Sequence, residues 1–280
     1  MEVKATDVKK LRDKTGAGMM DCKKALQEAG GDFAKAEKIL KELGLAAAAK
    51  RAGRATNAGR IFTRLTPSKA ICLELTCETD FVAKNSDFIA LGNRLTEYLA
   101  QHSITQTDKQ MEEMVTSTIG IIKENITIRR FKTLTAGESE ILIDYVHGEG
   151  NIGVIIKLDC QKKELKDNPE IRELGFNLAL HTAAFAPLYL AEENVDEDYL
   201  KEQYDIFMKQ AQQLGKPANV LDGIVKGKLK KHFAEICLLE QGYVKDEKLP
   251  VKKVIEALGQ KLGVKLALTD YIYFRVGEEI

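Results

Sequence analysis

The chain has 280 residues, of which 44% are hydrophobic and 30% charged, and its 42 Lys+Arg are balanced by 42 Asp+Glu. Such a length holds two or three modest domains with real cores. No apolar run approaches the roughly 20 residues that span a bilayer, and Met1-Glu2-Val3-Lys4 opens directly in an amphipathic pattern. Membrane insertion and secretion are therefore not expected, and a cytoplasmic location is.

Residues 1–45 read as a compact module of three helices. Val3, Val8 and Leu11 recur at helical spacing, Thr15-Gly16-Ala17-Gly18 interrupts them, and Met19, Met20, Cys22, Ala25, Leu26 and Ala29 begin a second helix that Gly30-Gly31 stops. Asp32 is placed to cap a third helix carrying Phe33, Ala36, Ile39, Leu40 and Leu43, which Gly44 is expected to end. Residues 46–57, alanine-rich and basic without a large apolar side chain, read as a linker. Residues 1–60 hold 14 Lys/Arg against 8 Asp/Glu, a net of +6, so the other 220 residues carry −6. A basic module on an acidic body suits an anionic partner, nucleic acid or acidic protein, although a solvated face would look the same.

Residues 58–140 change to period two. The run 59–65, the turn Thr66-Pro67-Ser68 and the run 69–77 predict a β-hairpin. Thr79-Asp80-Phe81-Val82 follows, before a helix that begins near Ser86. Phe81, beside an acidic residue at the end of a strand, is poorly placed to be buried by its own neighbours, so it either enters another molecule or caps a core. Helical stripes at Phe88, Leu91, Leu95, Tyr98 and Leu99, and at Met111, Met114, Val115, Thr118, Ile119 and Ile122, precede alternation from Ile126 to Phe131.

Residues 141–280 repeat the mixture. Strands at 141–147 and 152–158 flank Gly148-Glu149-Gly150-Asn151, a helix ends before Pro187, and a helix at 251–262 precedes a last strand at 264–276. Within this part, residues 194–240 predict two long helices joined by Gly215-Lys216-Pro217-Ala218-Asn219, an antiparallel coiled-coil-like arm for docking or dimerisation, or one folded back on the core. The fold class expected is α+β, with two mixed halves and antiparallel sheets.

The chemistry-bearing motifs are mostly exclusions. Gly148-Glu149-Gly150-Asn151-Ile152-Gly153 spells the spaced glycines of a dinucleotide site, but Val154-Ile155-Ile156 after it is strand-like where a helix is required, so a hairpin turn is read instead. No Gly-x-x-x-x-Gly-Lys-Ser/Thr loop exists, and His102, His147, His181 and His232 lie in separate elements without a triad. Of these, His147, at a strand end beside glycines, is best placed to touch a partner. Cys22, Cys72, Cys77, Cys160 and Cys237 are scattered and odd in number, which argues against disulfides and against zinc; Cys72 and Cys77 should face opposite sides of their strand. No catalytic residue, metal or cofactor is expected.

Two stretches carry a resemblance. The run from Leu11-Arg12-Asp13-Lys14-Thr15-Gly16-Ala17-Gly18-Met19-Met20 to Leu26, and Cys77-Glu78-Thr79-Asp80-Phe81-Val82-Ala83-Lys84-Asn85, resemble the two signatures of the bacterial elongation factor Ts family, the nucleotide exchange factors of elongation factor Tu. Weaker matches lie at Glu124-Asn125-Ile126-Thr127-Ile128-Arg129-Arg130, His147-Gly148, Gly215-Lys216-Pro217 and Gly227-Lys228-Leu229-Lys230-Lys231. The resemblance implies a three-helix domain like the ubiquitin-associated fold, a core of two α+β subdomains and a protruding coiled-coil arm. It also implies a partner, elongation factor Tu, that Asp80 and Phe81 enter near the Mg²⁺ site, with Thr79 and Val82 holding the loop. Arg12, Met19, Met20 and Lys23 match the stretch that grips the same GTPase domain, with one methionine expected to be partly core, while Ile126 and His147 are weaker carry-overs. The sequence departs from the family pattern at Gly242, where proline is usual, and at its short C-terminus. An RNA-binding protein acting through the basic first 60 residues is the rival of another class, although Phe33 is the sole aromatic there for base stacking.

Overall fold

The computed structural model describes residues 3–214 and 217–279, and of residues 218 and 219 the backbone only. Three helices open the chain: α1 (Ala5–Thr15), α2 (Met19–Glu28) and α3 (Phe33–Arg51). Val8, Leu11, Cys22, Ala25, Leu26 and Ala36 form their small core. Asp32 caps α3 by accepting the Lys35 N–H at 3.1 Å. α1 ends at Gly16, whose left-handed φ of 69° would strain a residue with a side chain; a Cβ there would also lie 2.9 Å from the tip of the Ile121 side chain, which would have to shift.

The expected stop at Gly44 and the linker over 46–57 need correction. α3 runs unbroken through Gly44 to Arg51. Gly44 is a crossing point and not a cap: its Cα lies 3.2 Å from where a Cβ on Gly120 would stand. The alanines beyond it continue the helix by propensity, and Ala48 packs against the neighbouring core.

Next come β1 (Ala58–Leu65), β2 (Lys69–Cys77), a single helical turn α4 (Asp80–Ala83), α5 (Ser86–Gln101), α6 (Lys109–Ile122) and β3 (Ile126–Thr135). The strands form an antiparallel sheet in the order β1-β2-β3. Ile71, Leu73, Leu75 and Cys77 of β2 bury Phe88, Leu91, Leu95 and Met111 of the two long helices. Ala70 and Cys72 face the other way, as the pleat requires.

That second face meets the second half. β4 (Glu140–His147) and β5 (Ile152–Asp159) form the expected hairpin, His147 pairing with Ile152 across the glycine turn. α7 (Pro169–Phe185) follows, then α8 (Glu197–Gln212) and α9 (Ala218–Ile236), the arm, whose connection at Gly215 and Lys216 lies outside the described residues. Tyr199 meets His232 Nε2 at 2.8 Å, and Lys228 donates to Gln210 at 2.7 Å, so the two arm helices face each other along their length. A small hairpin that the sequence pattern does not announce, β6 (Gly242–Tyr243) and β7 (Asp246–Pro250), leads into α10 (Val251–Leu262) and β8 (Ala267–Arg275). A Cβ on Gly242 would stand 2.6 Å from the Glu247 carbonyl oxygen, so this hairpin is closed around Gly242.

The second sheet has the order β4-β5-β8. One face packs on α7 and α10 through Val154, Ile156, Leu158, Leu178 and Ile255. The other meets the first sheet through Leu142, Ile155, Ile272 and Phe274. Glu74 sits in that seam, fully buried, accepting from Arg130 Nε at 2.7 Å and from the Gly277 N–H at 2.9 Å. The architecture is α+β, as expected.

Candidate functional site

The turn after β2 is tied down at almost every polar atom of one residue. Thr79 caps α4: its hydroxyl oxygen accepts the Val82 N–H at 3.4 Å, and its carbonyl accepts the Ala83 N–H at 3.2 Å. The same carbonyl takes the Cys77 thiol at 3.1 Å. Burial, reinforced by the Glu124 carboxylate, pushes the Cys77 thiol up to about 12, so it stays protonated and remains a donor. Glu124 receives both the Thr79 N–H (3.0 Å) and the Thr79 hydroxyl (2.8 Å).

On this braced turn the side chains divide. Ala83 is buried and Val82 half-buried against the first core, which anchors one side of the helical turn. Asp80 is exposed, and Phe81 is 82% exposed. A large aromatic left in water on restrained backbone loses apolar burial that any flexible loop would recover, so the fold presents it. Of the two fates open in the sequence, core cap and entry into another molecule, the first is excluded.

Lys84, one residue past α4, reaches Glu149 in the β4–β5 turn at 2.9 Å, and this contact raises the lysine's pKa and lowers the carboxyl's. Between the two halves beneath this pair lies a cleft of about 400 Å³, with Asp80, Asn151 and Arg275 on its wall. His147 is exposed at the end of β4, and its Nδ1 lies 2.9 Å from the hydroxyl of Tyr145, which itself packs against Phe176 of α7.

Arg12, Met19, Met20 and Lys23 are all exposed on the N-terminal module. Met19, Met20 and Lys23 share one side of α2 at helical spacing, because Cys22, Ala25 and Leu26 occupy the core side. The expectation that one methionine is partly core is corrected: Met19 is 43% and Met20 63% exposed. Ile126 is corrected as well. It is 3% exposed and packs in the first core, so its side chain is closed to a partner.

Glu124, Glu78 and Lys84 belong to the site; the sequence places them in the matched stretches but assigns them no role. Glu124 lies 45 residues from Thr79, and a carboxylate just past a helix end gives no local sign of such a contact.

The family model of elongation factor Ts matches residues 78–278, from the residue before Thr79 to the C-terminal tail. The chain belongs to the elongation factor Ts family. Elongation factor Ts of Treponema denticola is 47% identical over 277 residues and that of Borrelia hermsii 46% over 278, the alignments covering 99% of this chain and 99% and 100% of those relatives. Elongation factor Ts of Treponema pallidum (strain Nichols) is 41% identical over 288 aligned positions, covering 99% of both chains. The N-terminal patch precedes the matched span of the elongation factor Ts model but falls within these full-length alignments. Among the described residues no group of three or more His, Cys, Asp or Glu is arranged to hold a metal ion, and no helix is long and apolar enough to cross a membrane.

Proposed function

We propose that this member of the elongation factor Ts family promotes GDP release from elongation factor Tu in the cytoplasm by pressing Asp80 and Phe81 against the GTPase's Mg²⁺ and phosphate site. A role in translation elongation follows from family membership; the mechanism is the proposal. The observation that carries it is the combination at one turn of a fully braced backbone and an aromatic side chain 82% exposed.

An exchange factor needs no acid, base or nucleophile of its own. It binds the nucleotide-free GTPase more tightly than the loaded one, and by linkage the nucleotide is then held less tightly by the same factor. Phosphate and Mg²⁺ contacts supply most of the grip on GDP, so a rigid apolar group that displaces the surrounding loops is an economical way to weaken it. Thr79 and Val82 hold the turn, and Phe81 is the group that enters.

The second grip comes from α2 and the end of α1. Met19 and Met20 offer adaptable apolar surface beside the charges of Arg12 and Lys23, a combination suited to a protein partner. His147 is a further contact. The test is stopped-flow release of a fluorescent GDP analogue from elongation factor Tu: the wild-type chain accelerates release, and Phe81→Ala slows it. Acceleration that is lost with salt but indifferent to Phe81 would instead favour the basic module as the working part.

A further inference from the structure

A helical turn of four residues cannot hold itself, because nucleation restrains several dihedrals for one hydrogen bond. The restraint on α4 therefore comes from outside it: Ala83 and Val82 pack on the first core, and Glu124 holds the polar side. Its two carboxylate oxygens take the two donors of Thr79, backbone at 3.0 Å and hydroxyl at 2.8 Å. With the hydroxyl proton committed to Glu124, the Thr79 oxygen turns its lone pairs to the Val82 N–H, so the carboxylate orients the cap as well as the backbone.

Glu124 is itself rigidly placed. It follows Lys123, which closes α6 in the left-handed region at φ 67°, and precedes Asn125, whose N–H goes to Glu78 at 2.6 Å and whose side-chain amide goes to the Arg54 carbonyl at 2.8 Å. Two segments thus exchange backbone amides for carboxylates: Glu78 takes Asn125, and Glu124 takes Thr79. Lys123 extends the junction to the N-terminal module, its carbonyl accepting Arg51 Nε at 2.8 Å and its ammonium meeting Asp21 at 3.2 Å.

We propose that Glu124 is the positioning residue of the Asp80-Phe81 turn, holding Phe81 in its exchange-competent orientation without touching the GTPase. The inference rests on the reading of Phe81 as the entering group. Glu124→Gln keeps the shape but sets an NH₂ against a Thr79 donor.

Release of the fluorescent GDP analogue is measured at saturating full-length factor for wild type, Glu124→Gln, Phe81→Ala and the double variant. Glu124→Gln is expected to slow release roughly tenfold, the scale of one lost charge-assisted hydrogen bond. The factor concentration giving half-maximal acceleration stays unchanged, because the N-terminal patch is intact. Amide exchange at Val82 and Ala83 quickens while that in α5 does not, and in the Phe81→Ala background Glu124→Gln adds no further slowing. If Phe81→Ala is slow and Glu124→Gln releases at the wild-type rate, the positioning role is overturned while the exchange reading stands. Multiplicative effects in the double variant overturn it too, by showing that Glu124 acts independently of Phe81. If Phe81→Ala is as fast as wild type, the exchange reading falls and this role for Glu124 in exchange falls with it; unchanged amide exchange at Val82 would show separately that Glu124 does not hold the turn.

Discussion

Phe81 and Glu124 show what a single residue discloses in sequence and what it withholds. Phe81 stands out because strand and helix patterns on either side leave it no local place to be buried. Glu124 gives no such signal, since its meaning depends on a contact 45 residues away. Ile126 misleads for a related reason: a motif match names a position but not the direction of its side chain, and the pleat of β3 turns this one into the core. His181, in sequence only one of four scattered histidines, carries a pH prediction. Its ring is fully buried, stacked near Phe185 and Tyr243, with Nδ1 accepting the Val244 N–H at 3.1 Å and Nε2 meeting Gln241 Oε1 at 3.0 Å. Because Nδ1 accepts, the proton sits on Nε2 and the ring is neutral, and burial lowers its pKa from the ordinary 6.5. The unfolded chain therefore binds a proton near pH 6.5 that the folded chain refuses until lower pH. Stability is unaffected above that value and is lost as pH falls below it, by at most about 1.4 kcal/mol per pH unit. Urea melts between about pH 7.5 and 5, a range that brackets the ordinary histidine pKa, should show this fall, and His181→Gln should flatten it; equal slopes in the two proteins would refute the assignment.

At the scale of elements, the strands and long helices are legible in the sequence because their apolar periods are unambiguous, and Cys72 and Cys77 do face opposite sides of β2. Gly44 is not legible. Glycine ends helices and also permits helices to touch, and sequence alone does not separate the two uses. Here the α3–α6 crossing decides it. The ion pairs at its rim, Lys41–Glu113 at 3.4 Å and Lys123–Asp21 at 3.2 Å, are exposed and contribute about 0–1 kcal/mol each, so close backbone contact dominates the docking of the N-terminal module. Gly120→Val places a branched side chain where even a Cβ stands 3.2 Å from Gly44. Overpacking of that kind costs about 1–3 kcal/mol. Chemical denaturation should show the loss, together with faster proteolysis in residues 52–57; wild-type stability would mean that the crossing is loose.

At the scale of the molecule, two mixed halves are legible in the sequence, but their arrangement is not. Glu74 looks like the polar member of an alternating strand, and only the second sheet, packed over that face, buries it. Its carboxylate holds Arg130 and the Gly277 N–H, while Arg130 also reaches Glu278 at 3.1 Å and covers the Phe274 ring at 4.2 Å. Glu74→Ala leaves Arg130 its Glu278 partner but takes the acceptor from Arg130 Nε and from the Gly277 N–H, so it should cost about 1–3 kcal/mol. A change under about 1 kcal/mol in urea denaturation would show that the seam is wet and the pair unimportant. One of the halves so joined carries α4 and the N-terminal module, the other the β4–β5 turn, and α4 and that turn meet through Lys84 and Glu149. On the proposed mechanism, this assembly serves to present Phe81 to the GTPase. That role is tested most directly by the rate of fluorescent GDP release from elongation factor Tu at saturating factor, wild type against Phe81→Ala, with thermal melts of both. Markedly slower release is expected, with a melting temperature close to wild type, since an exposed side chain contributes within about 0.5 kcal/mol of stability; release at the wild-type rate, or a variant that unfolds, would contradict it.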